Sequence, residues 1–139
     1  MPPSAGTETI LVIDDERLVL SLTHSMLTRY GYDVVTAMSG AEALAVFKNW
    51  PDIEVNLLLV DLVMPGMNGT ETVQRIHELR PALPVIYFSA YSEMESLRPR
   101  HARNAPYLAK PFSSLRLTAK IREVLDNSKA DAAGAESSE

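Results

Sequence analysis

The chain has 139 residues, 46% of them hydrophobic and 22% charged, with a formal net charge of -5. That composition suits one ordinary globular domain able to bury a real core, and the acidic balance argues against a general nucleic-acid binder. There is no cysteine, which excludes disulfide frameworks, thiol catalysis and thiolate metal sites, and no apolar run approaches the ~20 residues of a membrane span. The N-terminal MPPSAGTET lacks the basic and apolar regions of a secretory signal, so the default location is cytoplasmic.

Residues 1–7 read as a flexible lead-in and residues 127–139, which hold no large apolar side chain, as a disordered tail or linker, leaving one domain over 8–126. Within it, Ile10–Ile13 is a short aliphatic run that predicts a first strand ending in the acidic Asp14-Asp15-Glu16. Glu16–Tyr30 carries Val19, Leu22, Met26 and Tyr30 at helical spacing, with Gly31 as a stop. Asp33–Ala37 predicts a second strand. Ser39 and Glu42 form a capping box for a helix bearing Leu44, Phe47 and Trp50, which Pro51 bars from continuing.

The uninterrupted aliphatic run in Val55–Val60 predicts a central strand covered on both faces, with Asp61 at its end. Asn68 caps a helix bearing Val73, Ile76 and Leu79. Pro84–Phe88 predicts a fourth strand ending at Ser89, and Glu93–Arg103 is a weak helix candidate. Tyr107–Ala109 predicts a short fifth strand followed by Lys110-Pro111, and Ser113–Leu125 a final helix with Leu117, Ile121, Val124 and Leu125 on one side. Strands alternating with helices in this way predict an α/β fold of five parallel strands with right-handed crossovers.

Such sheets place functional groups at the carboxyl ends of their strands. Here those ends supply Asp14, Asp15, Asp61, Ser89 and Lys110. Two unit charges ~4 Å apart interact by roughly 4 kcal/mol at an effective dielectric of 20. Three carboxylates on one rim therefore need compensation, some from Lys110 and the rest from a divalent cation. An all-oxygen donor set points to Mg²⁺, with Mn²⁺ possible. A carboxylate beside such a cation, an ammonium and a hydroxyl is equipped to act as nucleophile in phosphoryl transfer.

Four segments carry a resemblance: ILVIDDE (Ile10–Glu16), LLLVDLVMPGMNG (Leu57–Gly69), VIYFSAY (Val85–Tyr91) and YLAKPF (Tyr107–Phe112). Their order and spacing resemble the receiver domain of two-component response regulators, of the chemotaxis-regulator-like kind. The resemblance implies a flavodoxin-like doubly wound (βα)5 fold with strand order 2-1-3-4-5 and helices on both faces.

It further implies that Asp61 is the phosphoacceptor, that Asp15 binds Mg²⁺ directly and Asp14 mainly through water, and that the Val63 backbone carbonyl is a further metal ligand. Ser89 and Lys110 would hold the phosphoryl oxygens, Tyr107 would be the aromatic switch that follows Ser89, and the Lys110–Pro111 bond would be cis. The implied partners are a histidine kinase or histidine phosphotransfer protein as phosphodonor and a protein output partner at the 93–125 face, with no direct nucleic-acid or membrane contact. The implied role is regulatory, not enzymatic.

The segment SEMESLRPRHARNAP departs from the family. It lacks the usual Gly turn, holds few apolar residues and gathers Arg98, Arg100 and Arg103. Two alternatives stand beside the phosphoacceptor: a scaffold that is never phosphorylated, and a Mg²⁺-dependent phosphohydrolase with an Asp nucleophile. The first would be expected to lose a pocket group, and none is lost. The second would want an acid two residues after Asp61, where Val63 stands. His24, His77 and His101 show no ligand spacing.

Overall fold

A computed structural model describes residues 5–90 and 106–137, with side chains to residue 128. Five strands, β1 (Thr9–Ile13), β2 (Asp33–Ala37), β3 (Leu57–Asp61), β4 (Val85–Ala90) and β5 (Tyr107–Lys110), form one all-parallel sheet in the order β2-β1-β3-β4-β5. The described helices are α1 (Arg17–Arg29), α2 (Gly40–Asn49), α3 (Gly69–Leu79) and α4 (Ser114–Ser137). This is the flavodoxin-like arrangement, with helices on both sheet faces. The candidate helix Glu93–Arg103 and its arginines lie outside the described residues.

The period-two geometry of the strands builds two cores. Leu11, Ile13, Leu58, Val60, Val85 and Tyr87 face one way and pack with Ala43 and Phe47 of α2 and Val73 and Ile76 of α3. Ile10, Val12, Leu57, Leu59, Ile86 and Phe88 face the other way, against Leu20 and Leu27 of α1 and Leu117, Ile121 and Leu125 of α4. Every residue of β3 is buried, as expected for a central strand. Both predicted caps form: the Ser39 hydroxyl accepts the Glu42 N–H at 3.1 Å, and the Asn68 side-chain oxygen accepts the Glu71 N–H at 2.9 Å.

Four expectations are corrected. On α1 the deeply buried stripe is Leu20, Thr23 and Leu27, one position from the predicted one, and Leu22 is 52% exposed. Trp50, expected in the core, is 58% exposed, because α2 ends at Asn49 and the chain turns before the ring can reach the sheet. Leu79, at the end of α3, is 48% exposed. The last helix continues past Leu125 to Ser137, so the expected disordered tail or linker is helical there. Its alanines (130, 132, 133 and 135) favour helix, and propagation from an anchored helix needs no new nucleus.

Two ties explain segments without regular structure. In the expected flexible lead-in, the Gly6 N–H donates to the Tyr30 carbonyl at 3.1 Å, and Arg122 of α4 grips Glu8 in a two-pronged pair, with its shorter contact at 2.6 Å. The loop between α2 and β3 is pinned by Arg80, which donates to the carbonyls of Pro51 (2.8 Å) and Ile53 (2.9 Å) while its guanidinium lies 5.0 Å over the Phe47 ring. Replacing Arg80 with Ala should cost roughly 2 kcal/mol, since two hydrogen bonds from a charged donor are lost. Urea denaturation measures this, and Arg80→Lys should recover less than half, because an ammonium lacks the planar fork.

Candidate functional site

The pocket forms at the carboxyl edge of the three central strands and β5. The Asp14 N–H continues the sheet by donating to the Ala37 carbonyl at 3.1 Å, and Asp14 Oδ1 accepts the Glu16 N–H at 2.8 Å, which turns the chain toward α1. Asp61 closes β3, opposite Phe88 of β4, and its Oδ1 accepts the Val63 N–H at 3.2 Å. The start of α3 is pressed onto this strand end. A Cβ on Gly69 would overlap the Asp61 carbonyl oxygen and come within 2.9 Å of the Leu62 Cα, so only glycine fits there.

β5 delivers Lys110 across the sheet. Its ammonium lies 3.1 Å from Asp14 Oδ2, 3.6 Å from Asp61 Oδ2 and 3.9 Å from Glu16 Oε1. Asp14 and Asp61 are buried, and Asp15 is half-buried. One carboxylate oxygen from each of these three aspartates lies within 4.8 Å of the others. This set of hard oxygen donors, two of them screened from water, fits a divalent cation of the Mg²⁺ type. The Lys110–Pro111 bond is cis.

Burial, and next the Asp14 charge, push the Asp61 carboxyl up to about 7, against the pull of Lys110 and the Val63 N–H. Burial alone would lower the Lys110 ammonium, but the Asp61 charge and the hydrogen bond and charge of Asp14 outweigh it and hold Lys110 above its ordinary value. The charged lysine is thus fixed by the same carboxylates whose crowding it relieves.

Ser89 is fully buried one residue beyond Phe88, and its hydroxyl donates to the Ala90 carbonyl at 3.2 Å rather than toward Asp61. Tyr107 opens β5, and its ring stacks on Tyr87 with centroids 5.4 Å apart. Val63 is partly exposed at the rim, two residues after Asp61. The fold thus gathers Asp14, Asp15, Asp61 and Lys110 directly, with Ser89 and Tyr107 on the adjoining strands.

Two contributors were not assigned from the sequence. Glu16, at 64% exposure, reaches Lys110 from the rim. Phe88 lies beneath the same ammonium, with its ring centroid 4.9 Å from Nζ. Glu16 had a signal in its adjacency to Asp14-Asp15. Phe88 had none, since a strand aromatic reads as core. Of the three histidines, His77 bonds the Leu83 carbonyl at 2.9 Å through Nε2, His24 is exposed, and His101 lies outside the described residues.

A family model described as the response regulator receiver domain matches residues 10–122. A probable transcriptional regulator ycf27 of Porphyridium aerugineum is 36% identical over 119 residues, 85% of this chain and 48% of that protein. The transcriptional regulatory protein CpxR of Klebsiella pneumoniae is 36% identical over 120 residues, 86% of this chain and 50% of that protein. The chain spans about half the length of the curated relatives it matches. Among solved structures, a CheY-like response regulator receiver domain protein from Methanospirillum hungatei JF-1 is 32% identical with a TM-score of 0.78, covering 91% of this chain and 99% of that one. A receiver domain protein from Clostridium thermocellum is 27% identical with a TM-score of 0.77, over 88% and 98% of the two chains.

The raised Asp61 pKa sets a pH dependence for the metal-free protein. Between the ordinary carboxylate range and about 7, the folded state holds a proton on Asp61 that the unfolded state has lost, so stability falls as pH rises through this window. In a chelator, Asp61→Asn should melt above the wild type at pH 7.5, and the gap should close toward pH 4. Thermal melts across that range check it.

Proposed function

The chain belongs to the response regulator receiver domain family, and from that premise we propose that it is a phosphoacceptor signalling module in which Asp61 receives a phosphoryl group from a phospho-histidine donor. The observation that carries this reading is one pocket holding Asp61, Asp14 and Asp15, with Lys110 at 3.1 Å from Asp14 and 3.6 Å from Asp61.

In the proposed step an Asp61 carboxylate oxygen forms a bond to phosphorus as the donor's P–N bond breaks and its electron pair stays on the imidazole nitrogen. Asp14, Asp15, Asp61 and the Val63 backbone carbonyl would hold Mg²⁺ (or Mn²⁺), which when bound neutralises charge on the carboxylates and the transferred group. Lys110, already held at the pocket, pairs with the phosphoryl oxygens that Asp61 brings within its reach. Ser89, whose hydroxyl donates here to the Ala90 carbonyl, would donate to the same group after a movement of the β4 end. Tyr107, stacked on Tyr87, is the side chain that such a movement of the β4 end would release or draw in, which makes it the switch aromatic.

The product is an acyl phosphate on the protein itself, so the role is regulatory, a shift between two conformational populations. The phosphodonor is a histidine kinase or histidine phosphotransfer protein. An apolar groove of Val19, Leu22, Met26, Pro111 and Phe112 opens beside Lys110 and gives such a donor a surface next to the pocket. The output partner is placed at the 93–125 face, of which β5 and the start of α4 are described. Among the described residues no helix is long and apolar enough to cross a membrane. The expectation of no direct nucleic-acid contact concerns these 139 residues only, because the relatives named as transcriptional regulators are about twice as long.

Incubation with Mg²⁺ and acetyl phosphate should add one phosphoryl group to the intact mass, and Asp61→Asn should abolish the gain. Lys110→Ala should slow it by roughly 100-fold, the scale for losing one charged donor to a transferring group. Absence of any gain would favour the scaffold, and continuous release of phosphate from esters the hydrolase. Mg²⁺ should also raise the melting temperature; at 100 times its dissociation constant it adds roughly 2.7 kcal/mol. An unmoved melting curve would count against the metal site.

A further inference from the structure

Lys110 has neighbours of two kinds. On one side stand the carboxylates of Asp14, Asp61 and Glu16, at 3.1, 3.6 and 3.9 Å. On the other lies the ring of Phe88, with its centroid 4.9 Å from Nζ. Phe88 is fully buried on β4, directly opposite Asp61 in the sheet and one residue before Ser89. Its ring is itself held, with the Phe112 ring meeting it edge-on at 5.8 Å and 73°. The floor under the ammonium is therefore an edge-to-face aromatic pair.

The carboxylates are an unreliable hold on Lys110. Asp14 and Asp61 belong to the donor set that fits a divalent cation. A cation ligated there would compete with Lys110 for their charge and repel it. Glu16, 3.9 Å away and 64% exposed at the rim, would then be the carboxylate left to draw the flexible stem outward. The ring contact behaves differently. It depends on the quadrupole of Phe88 and not on the charge state of any carboxylate. The Lys110 side chain is only 19% exposed, so the ring acts with little competition from water.

We propose that Phe88 is a positioning residue whose ring face keeps the Lys110 ammonium at the phosphoryl position when the metal takes the charge of its carboxylate partners. This rests on the reading of Lys110 as the phosphoryl-pairing cation. An aliphatic residue at 88 offers the ammonium no ring face and would leave Lys110 free to swing to the rim.

The test replaces Phe88 in the full chain with 4-fluoro-, 3,5-difluoro- and 3,4,5-trifluorophenylalanine, which weaken the ring quadrupole stepwise at nearly constant shape. Asp61 phosphorylation by acetyl phosphate with Mg²⁺ is followed by intact mass, folding by melting temperature, and the ring contact by the ring-current shift of the Lys110 Hε signals with and without Mg²⁺. The phosphorylation rate should fall stepwise, on the order of ten-fold across the series, and the Hε shift should fade, while the melting temperature holds. Phe88→Tyr should keep the rate and Phe88→Leu should lower it by about the same ten-fold. Equal rates and unchanged shifts along the series would overturn the proposal. If the wild type takes no phosphoryl group, the phosphoacceptor reading falls on its own, and the Hε shifts in Mg²⁺ still decide for or against the ring contact.

Discussion

Crowded carboxylates at the carboxyl edge of the sheet set the terms for everything around them. Asp14 and Asp61 are buried within reach of Asp15, in surroundings where each added negative charge is costly. Burial and the Asp14 charge accordingly raise the Asp61 pKa well above the usual carboxylate range. Lys110 relieves it in part, and it can do so only because β5 lies at the far edge of the same sheet, bringing together residues 96 positions apart in sequence. The two cores on either side of the strands supply the burial that offsets this local expense, and they hold the strand ends rigid enough for the charges to stay where they are placed.

The same constraint explains why small features at the rim are so tightly fitted. Gly69 lets α3 begin in contact with the Asp61 strand end, and the Asn68 side chain accepts the Glu71 N–H in the first turn of that helix. Asp14 serves both as charge and as acceptor for the Glu16 N–H. Ser89, on the adjoining strand, is buried with its hydroxyl on the Ala90 carbonyl.

The strands were legible in the sequence because they depend on local signals, aliphatic runs and caps, while their order and the meeting of Asp14, Asp15, Asp61 and Lys110 followed from the recurring pattern of motifs. Ser39 and Asn68 act as caps as their neighbours imply. What stayed hidden depends on partners remote in the chain. The buried stripe of α1 is one position from the predicted one, because Val19, Leu20, Leu22, Met26 and Leu27 offer two overlapping apolar faces and the sheet selects between them. Arg80 looks like a helix-end charge, yet it secures a loop nearly thirty residues earlier. Trp50 and Leu79 are apolar residues at helix ends, where periodicity no longer reports burial. Phe88 carries no sign that a cation will sit on its face.

The length of α4 has a mechanical consequence. Its 24 residues run about 36 Å at 1.5 Å per residue. Leu117, Ile121 and Leu125 fasten the first half to the sheet, and Arg122 bolts it to Glu8 at the foot of β1, the strand that carries Asp14 at its head. The second half extends the axis by roughly 18 Å past Leu125. Such a rod is a lever with its fulcrum on the sheet. A tilt of ~5° at the fastened half would sweep the Ser137 end through more than an ångström, so displacements too small to disturb the packed core become larger at that end.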